Sequence, residues 1–269
     1  MSVTVGHGRG GAPGPSRSRP MLNKVPEVTA LFWVTKVLTT AMGEVTSDYV
    51  VKVMDPFVAV GLGAVGLAVA LVIQLQARSH VPWRYWLAVV MVAVFGTMAA
   101  DVLHVQFGVP YLASTTFFAV VIAASFVVWH RVEGTLSVHS ISTRRRELFY
   151  WFTVMSTFAL GTAVGDMTAK TMHLGYLSSG LLFTVLIALP ALAYRYLRLD
   201  GVAAFWAAYI LTRPVGASFA DWLGKPRDLT GLGVGDLRVD VLLTVAILGL
   251  VAYLSATDRS PAAPAPATT

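Results

Sequence analysis

An aromatic–Trp pair occurs four times along the chain, each time followed by Gly ten residues after the Trp and by Asp fifteen residues after it. The copies are Phe32-Trp33…Gly43…Asp48, Tyr85-Trp86…Gly96…Asp101, Tyr150-Trp151…Gly161…Asp166 and Phe205-Trp206…Gly216…Asp221. The spacing is invariant while most intervening residues differ, which is the mark of an internal repeat. Each copy lies on a stretch apolar enough to cross a bilayer, where a carboxylate is costly to keep. Four such acids at one register point to a shared task.

Of the 269 residues, 56% are apolar and 13% charged, about half the charged share of an ordinary soluble domain. Apolar runs recur at about 30–50, 57–75, 85–105, 110–130, 148–168, 174–197, 202–222 and 239–256, each near the roughly 20 residues that span a hydrocarbon core. The expected fold is therefore all-α: a polytopic membrane protein with eight transmembrane helices. Successive Trp positions lie 53, 65 and 55 residues apart, and each interval holds two spans, so the repeating unit is a helical hairpin. Two spans return the chain to its starting side, which predicts four parallel two-helix repeats, about 28–78, 83–131, 147–198 and 202–257, within a membrane domain of 23–258. A pseudo-fourfold ring and two pairs of hairpins both satisfy this pattern.

The net charge of +6 follows topology rather than a nucleic-acid surface. Thirteen Lys and Arg fall on the side that holds both ends and the loops after spans two, four and six, against five (Lys52, Lys170, Lys225, Arg227, Arg238) on the other. The positive-inside bias places both termini in the cytoplasm. With no Cys, disulfides and thiolate metal sites are excluded. Residues 1–22, rich in Gly, Pro, Ser and Arg and lacking an apolar signal core, read as a disordered extension with Met21 as an alternative start, and 259–269 as a disordered tail.

In a motif helix, Gly lies about 15 Å and Asp about 22 Å beyond Trp. With Trp at the cytoplasmic interface, as a member of an aromatic belt, Gly falls near the midplane and Asp in the outer third. A small residue precedes each Asp (Ser47, Ala100, Gly165, Ala220). With Gly43, Gly96, Gly161 and Gly216 four residues earlier, each helix carries a close-packing face. Packing of those faces would bring the four acids toward one central space.

Lys52, Lys170 and Lys225 follow Asp48, Asp166 and Asp221 by four residues, and His104 follows Asp101 by three. The simplest account pairs each Asp with its own Lys. Against it, an acid near a helix C-terminus opposes the macrodipole, which favours cross-helix pairing or a bound cation. Glu44 shares a face with Asp48, and Thr97 and Thr162 stand at the position of Glu44 in the second and third copies. In the fourth copy Arg213-Pro214 precedes Gly216: Pro214 predicts a kink, and Arg213 needs an acid, for which Glu44 is the first candidate. Lys36, one turn beyond Trp33, is expected to snorkel to the surface.

The candidate site is thus Glu44, Asp48, Asp101, Asp166 and Asp221, as metal ligands, cation-binding or proton-coupling groups. Thr97, Thr162, His104 and Arg213 are supporting polar residues. All the acids offer hard oxygen donors, suited to Mn²⁺, Mg²⁺, Ca²⁺, Na⁺ or protons. Gly233-Val-Gly-Asp236 and Pro190-Ala-Leu192 resemble elements of presenilin-type aspartyl proteases, but here the order is reversed and Asp236 precedes the last span. No phosphate-binding loop, zinc-binding His pair or nucleophile elbow is present, so no enzyme and no catalytic residue is expected.

The run Lys24-Val-Pro-Glu-Val-Thr-Ala-Leu-Phe-Trp33 leading into Gly43-Glu44 and Asp48, with the fourfold Trp…Gly…Asp register, resembles a bacterial family of integral membrane proteins built from four copies of a repeat of unknown function, described as uncharacterised membrane-anchored proteins. The resemblance covers about residues 21–258 and implies an eight-span protein of the bacterial inner membrane. The residues themselves carry the functional expectation of a secondary transporter or exporter of a small cation, plausibly a hard divalent metal such as Mn²⁺ or Mg²⁺. The alternatives are a proton-coupled small-solute carrier and a non-transporting scaffold whose Asp residues only pair helices. No resident cofactor is expected. The partners are the lipid bilayer and the transported cation or solute, with no nucleic acid; a homo-oligomer is left open.

Overall fold

The computed structural model describes residues 23–257; the sequence extension 1–22 and the tail 259–269 lie outside the described residues. Among the described residues there are eight long helices and no strand: α1 (Ala30–Val53), α2 (Pro56–Gln76), α3 (Pro82–Asp101), α4 (Tyr111–Glu133), α5 (Arg144–Asp166), α6 (Gly175–Tyr196), α7 (Gly201–Gly224) and α8 (Asp236–Thr257). Local chemistry sets the starts. Thr29, Asp55, Thr143 and Asp200 accept backbone N–H bonds from the first turns of α1, α2, α5 and α7, satisfying donors that a helix start leaves free. Thr143 starts α5 a turn earlier than the apolar run alone predicts. Gly134, at φ 71°, ends α4 in the left-handed conformation that glycine adopts without strain.

Six helices are long and apolar enough to cross a membrane: α2, α3, α4, α5, α6 and α8, with α3 and α5 counted through Gln106 and Thr171. The other two, α1 and α7, are 24 residues each. They carry charged residues along their length, Lys36, Glu44 and Asp48 in α1 and Arg213 and Asp221 in α7.

The helices sort into an inner and an outer set. The motif helices α1, α3, α5 and α7 pack in a closed ring, each against two of the others. The plain helices lie outside it, and each packs chiefly on the motif helix of the next hairpin: α2 on α3, α4 on α5, α6 on α7 and α8 on α1. The sequence repeat is therefore a hairpin, whereas the packing unit is an outer helix with the motif helix that follows it. Only 11% of the α8 span is buried, against 72% of α5, so α8 is peripheral and α5 is core. The outer helices turn residues such as Val65, Leu112, Val185 and Leu242 outward, the surface a lipid-facing helix presents.

Two features of the repeat hold the ring together. At one end, the first aromatic of each pair meets the Trp of the next copy: Phe32 with Trp86, Tyr85 with Trp151, Tyr150 with Trp206, and Phe205 with Trp33, at centroid separations of 5.8, 5.6, 6.1 and 5.6 Å. These separations are in the range of favourable ring contacts. This corrects the expectation of interfacial belts, since Trp86, Trp151 and Trp206 are buried. Around the middle, each motif Gly faces the residue seven places after the Trp of the next copy: Gly43 faces Ala93, Gly96 Phe158, Gly161 Arg213 and Gly216 Thr40. A methyl on Gly96 would sit 3.0 Å from the Phe158 Cβ, and one on Gly43 2.9 Å from Ala93 backbone carbon, so a larger residue would force the helices apart.

Candidate functional site

Along the ring axis, repeat-equivalent residues form layers. Three residues after Trp stand Lys36, Val89, Val154 and Tyr209; after seven, Thr40, Ala93, Phe158 and Arg213; after eleven, Glu44, Thr97, Thr162 and Ala217; after fifteen, the four Asp. All members of the first three layers are buried. Ionisable residues in them therefore face protein rather than solvent, where an unpaired charge is costly.

Arg213 finds them across three other helices. Its Nη1 donates to the Thr40 carbonyl at 2.9 Å, and its Nη2 donates to Glu44 Oε2 at 2.5 Å, to Thr162 Oγ1 at 2.9 Å and to Thr97 Oγ1. One guanidinium thus ties α7 to α1, α3 and α5 and closes the middle of the ring. The seat left by Gly161 admits its side chain. Helix α7 remains helical on both sides of Pro214.

The acids gather beyond this tie. Carboxylate oxygens of Glu44, Asp48 and Asp221 lie within 4.8 Å of one another. Asp101 is within Coulombic reach of Glu44, Asp48 and Asp166, and Ser47 Oγ donates to it at 3.5 Å. Glu44, Asp166 and Asp221 are buried, while Asp48 and Asp101 are partly exposed. Own-lysine pairing holds for Asp166 with Lys170 at 2.9 Å and, more loosely, for Asp221 with Lys225. Lys225 sits 3.7 Å from its own Asp221 but pairs more closely with Asp48 of α1. Burial opposes the charge on Lys225, yet the Asp221 and Asp48 carboxylates outweigh it and raise its pKa above the ordinary lysine value. Lys52 turns away from Asp48 to Asp236 at the start of α8, and Thr46 donates to Asp240 of the same helix at 2.6 Å.

Immediately after Asp101 and Asp166, α3 and α5 widen into π-helical turns, Val102–Gln106 and Met167–Thr171. In α5 this end carries Lys170, which also reaches the Tyr111 hydroxyl at 3.5 Å. In α3 the corresponding turn carries His104. Its Nδ1 bonds the Val109 carbonyl at 3.0 Å, and its Nε2 lies 3.4 Å from Ser114 Oγ. His104 also packs on the Tyr111 ring at a centroid separation of 4.2 Å.

A sequence profile described as a Repeat of Unknown Function (DUF347) matches the chain four times, over residues 31–79, 84–135, 149–199 and 204–260. The chain belongs to this repeat family. Neither a curated protein nor a solved structure gave a match. Each DUF347 match begins within two residues of an aromatic–Trp pair and takes in the Gly and the Asp, so the family unit coincides with the register that builds the layers.

Two polar features of the DUF347 chain escape a reading of its motifs. Lys36 does not snorkel: it is fully buried, with its Nζ 4.1 Å from the centre of the Phe158 ring and 4.4 Å from that of Tyr209. Aligning the repeats reveals the signal, because the equivalents of Lys36 are Val89, Val154 and Tyr209, all core residues. Lys24, on the segment before α1, is also buried; it pairs with Glu147 at 2.6 Å while Gln74 donates to the same carboxylate at 3.2 Å. At that aromatic end, far from the acids, a cleft of about 680 Å³ opens, lined by Trp33, His139, Tyr194, Asp200 and Phe205 among others.

Proposed function

We propose that the protein is a secondary transporter, acting as an exporter, of a small hard cation such as Mn²⁺ or Mg²⁺, with Glu44, Asp48 and Asp221 as the cation-binding core and Asp101 and Asp166 as its flank. In this reading all eight helices span the bacterial inner membrane as four parallel hairpins, with both termini cytoplasmic and the Asp layer toward the outside. The six strongly apolar helices, the outward-facing apolar surface and the Lys/Arg bias support that placement. The more polar α1 and α7 are shielded inside the ring, where their ionisable groups pair with protein rather than lipid.

The charge balance of the cluster is the observation that carries the cation reading. Five acids meet Arg213, Lys170 and Lys225, so with every group ionised two negative charges remain. The three closest carboxylates present only oxygen ligands, which suits a hard divalent substrate or two protons. Lys225 occupies the place of competing cation between Asp48 and Asp221, and an arriving substrate must displace it. Arg213 bars the axis one layer further in, which makes this conformation closed toward the cytoplasm.

A second reading, a non-transporting scaffold, is favoured by the Arg213 tie and by the Asp166–Lys170 pair, since both fasten helices. Flux separates the two. Reconstituted in liposomes carrying a metal-sensitive dye, the wild-type chain is expected to pass Mn²⁺ down a gradient, and Asp221→Asn to abolish that flux while the melting temperature stays unchanged. A silent wild type, together with a lowered melting temperature in Asp221→Asn, would establish the scaffold instead.

A further inference from the structure

Lys36 is the one lysine among the described residues that has a fully buried Nζ and no hydrogen-bond or ion-pair partner. It sits on α1 and reaches across the ring axis to Phe158 of α5, with Tyr209 of α7 on its other side. Two ring faces attract an ammonium, but they accept no hydrogen bond from it and carry no net charge. An isolated ammonium without an acceptor is among the most expensive groups to bury, whereas a neutral amine is tolerated. The acid that could balance it, Glu44, lies two turns along the same helix and is already engaged by Arg213.

The groups turned toward this point offer nothing better. From α7 come Arg213, whose positive charge opposes a second one, and Tyr209. From α3 and α5 come Tyr85 and Tyr150, whose hydroxyls bond each other at 2.5 Å one turn toward the aromatic end. Helix α2 has no ionisable residue, and Asp236 and Asp240 of α8 meet α1 at its far end, at Lys52 and Thr46.

We propose that Lys36 is a reversible proton-binding site on the ring axis and that it couples proton movement to the carrier. Phe158 lies under both Lys36 and Arg213, 5.5 Å from the guanidinium carbon. A proton arriving on Lys36 sets two positive charges on one ring and pushes Arg213 away from Glu44, Thr97 and Thr162. Its departure lets the tie reform. The tyrosine hydroxyls at the aromatic end provide the donors and acceptors through which that proton enters. The coupling half of this proposal rests on the carrier reading; the proton site itself does not.

The chain has five lysines, Lys24, Lys36, Lys52, Lys170 and Lys225, few enough for ε-carbon NMR of labelled lysine in the full chain in detergent. Lys36→Val, which installs the residue of the second and third repeats, assigns the resonance. Should that variant not fold, Lys36→Met or elimination through Lys→Arg changes at the other four sites assigns it. Lys36 is expected to titrate reversibly within the pH range over which the protein stays folded. A Lys36 that remains an ammonium, or remains neutral, throughout that range would overturn the proton site. In liposomes, Lys36→Val is expected to retain Mn²⁺-for-Mn²⁺ exchange and to lose accumulation driven by a pH gradient. Accumulation equal to wild type, or loss of exchange as well, would overturn the coupling. Absence of any wild-type cation flux would sink the carrier reading and the coupling together, whatever the resonance does.

Discussion

Replacing Arg213 by Met removes four hydrogen bonds at once, to Thr40, Glu44, Thr97 and Thr162. The dominant cost is that Glu44 is left buried without a counter-charge, a loss of about 3–5 kcal/mol for one partner of a buried pair. Glu44→Leu carries a cost of the same order, because it strands the guanidinium. The double variant Glu44→Leu/Arg213→Met differs in kind. Thr97 and Thr162 already donate to the Ala93 and Phe158 carbonyls at 2.9 and 3.2 Å, so neither hydroxyl is orphaned when both charges go. Its penalty should shrink to roughly 1–2 kcal/mol, the scale of an imperfectly repacked core. The coupling energy from the double-mutant cycle is then about 3 kcal/mol or more. In a thermal melt of the detergent-solubilised protein, each single change should lower the midpoint by about 10 °C and the double by markedly less. Additive losses would refute the argument that the pair, rather than its threonine partners, carries the energy.

Three further outcomes follow from the packing and the site. Gly43→Ala and Gly216→Ala, whose new methyls would press on backbone atoms of the next helix, should destabilise the ring by about 1–3 kcal/mol. Gly61→Ala, on an open face of α2, should change the same melt by less than about 1 kcal/mol. Lys24→Met leaves Glu147 buried without the lysine ammonium, held by Gln74, and should lower stability by about 3–5 kcal/mol, with much of that loss recovered in Lys24→Met/Glu147→Leu. Lys225→Met frees Asp48 and Asp221 of their competing charge, so Mn²⁺ measured by calorimetry should bind at least about tenfold more tightly; unchanged affinity would exclude Lys225 as the competitor.

The Trp…Gly…Asp spacing contained the membership of the ring, because identical registers on parallel helices are what a rotational arrangement requires. It also pointed to Glu44 as the partner of Arg213, since a midplane cation has few acids within reach. The role of the Trp residues was not legible: an indole at a helix start suits a membrane interface and a helix–helix seam equally well, and only the neighbouring copy decides. Lys36 was obscured by its closeness to the surface along α1, where length alone permits snorkelling. Its direction is set by the three other residues of its layer. The partners of His104, the Val109 carbonyl and Ser114, lie in the loop and helix that follow, which its spacing from Asp101 could not reveal. Pairing of each lysine with its own Asp was the simplest local expectation; Lys52 departs from it because α8 brings Asp236 closer, and Lys225 is shared between its own Asp221 and the nearer Asp48.

Because α8 packs on α1, the two helices farthest apart in the described chain complete each other's seat. Until α7 is made, Glu44 has no Arg213 and Asp48 has no Lys225, so both acids of α1 lack these counter-charges. The ring therefore cannot close, nor can these pairs form, before α7 and α8 are in place. Truncation before α7 should leave a polypeptide that inserts yet is rapidly degraded. Supplying α7–α8 as a separate chain should rescue it.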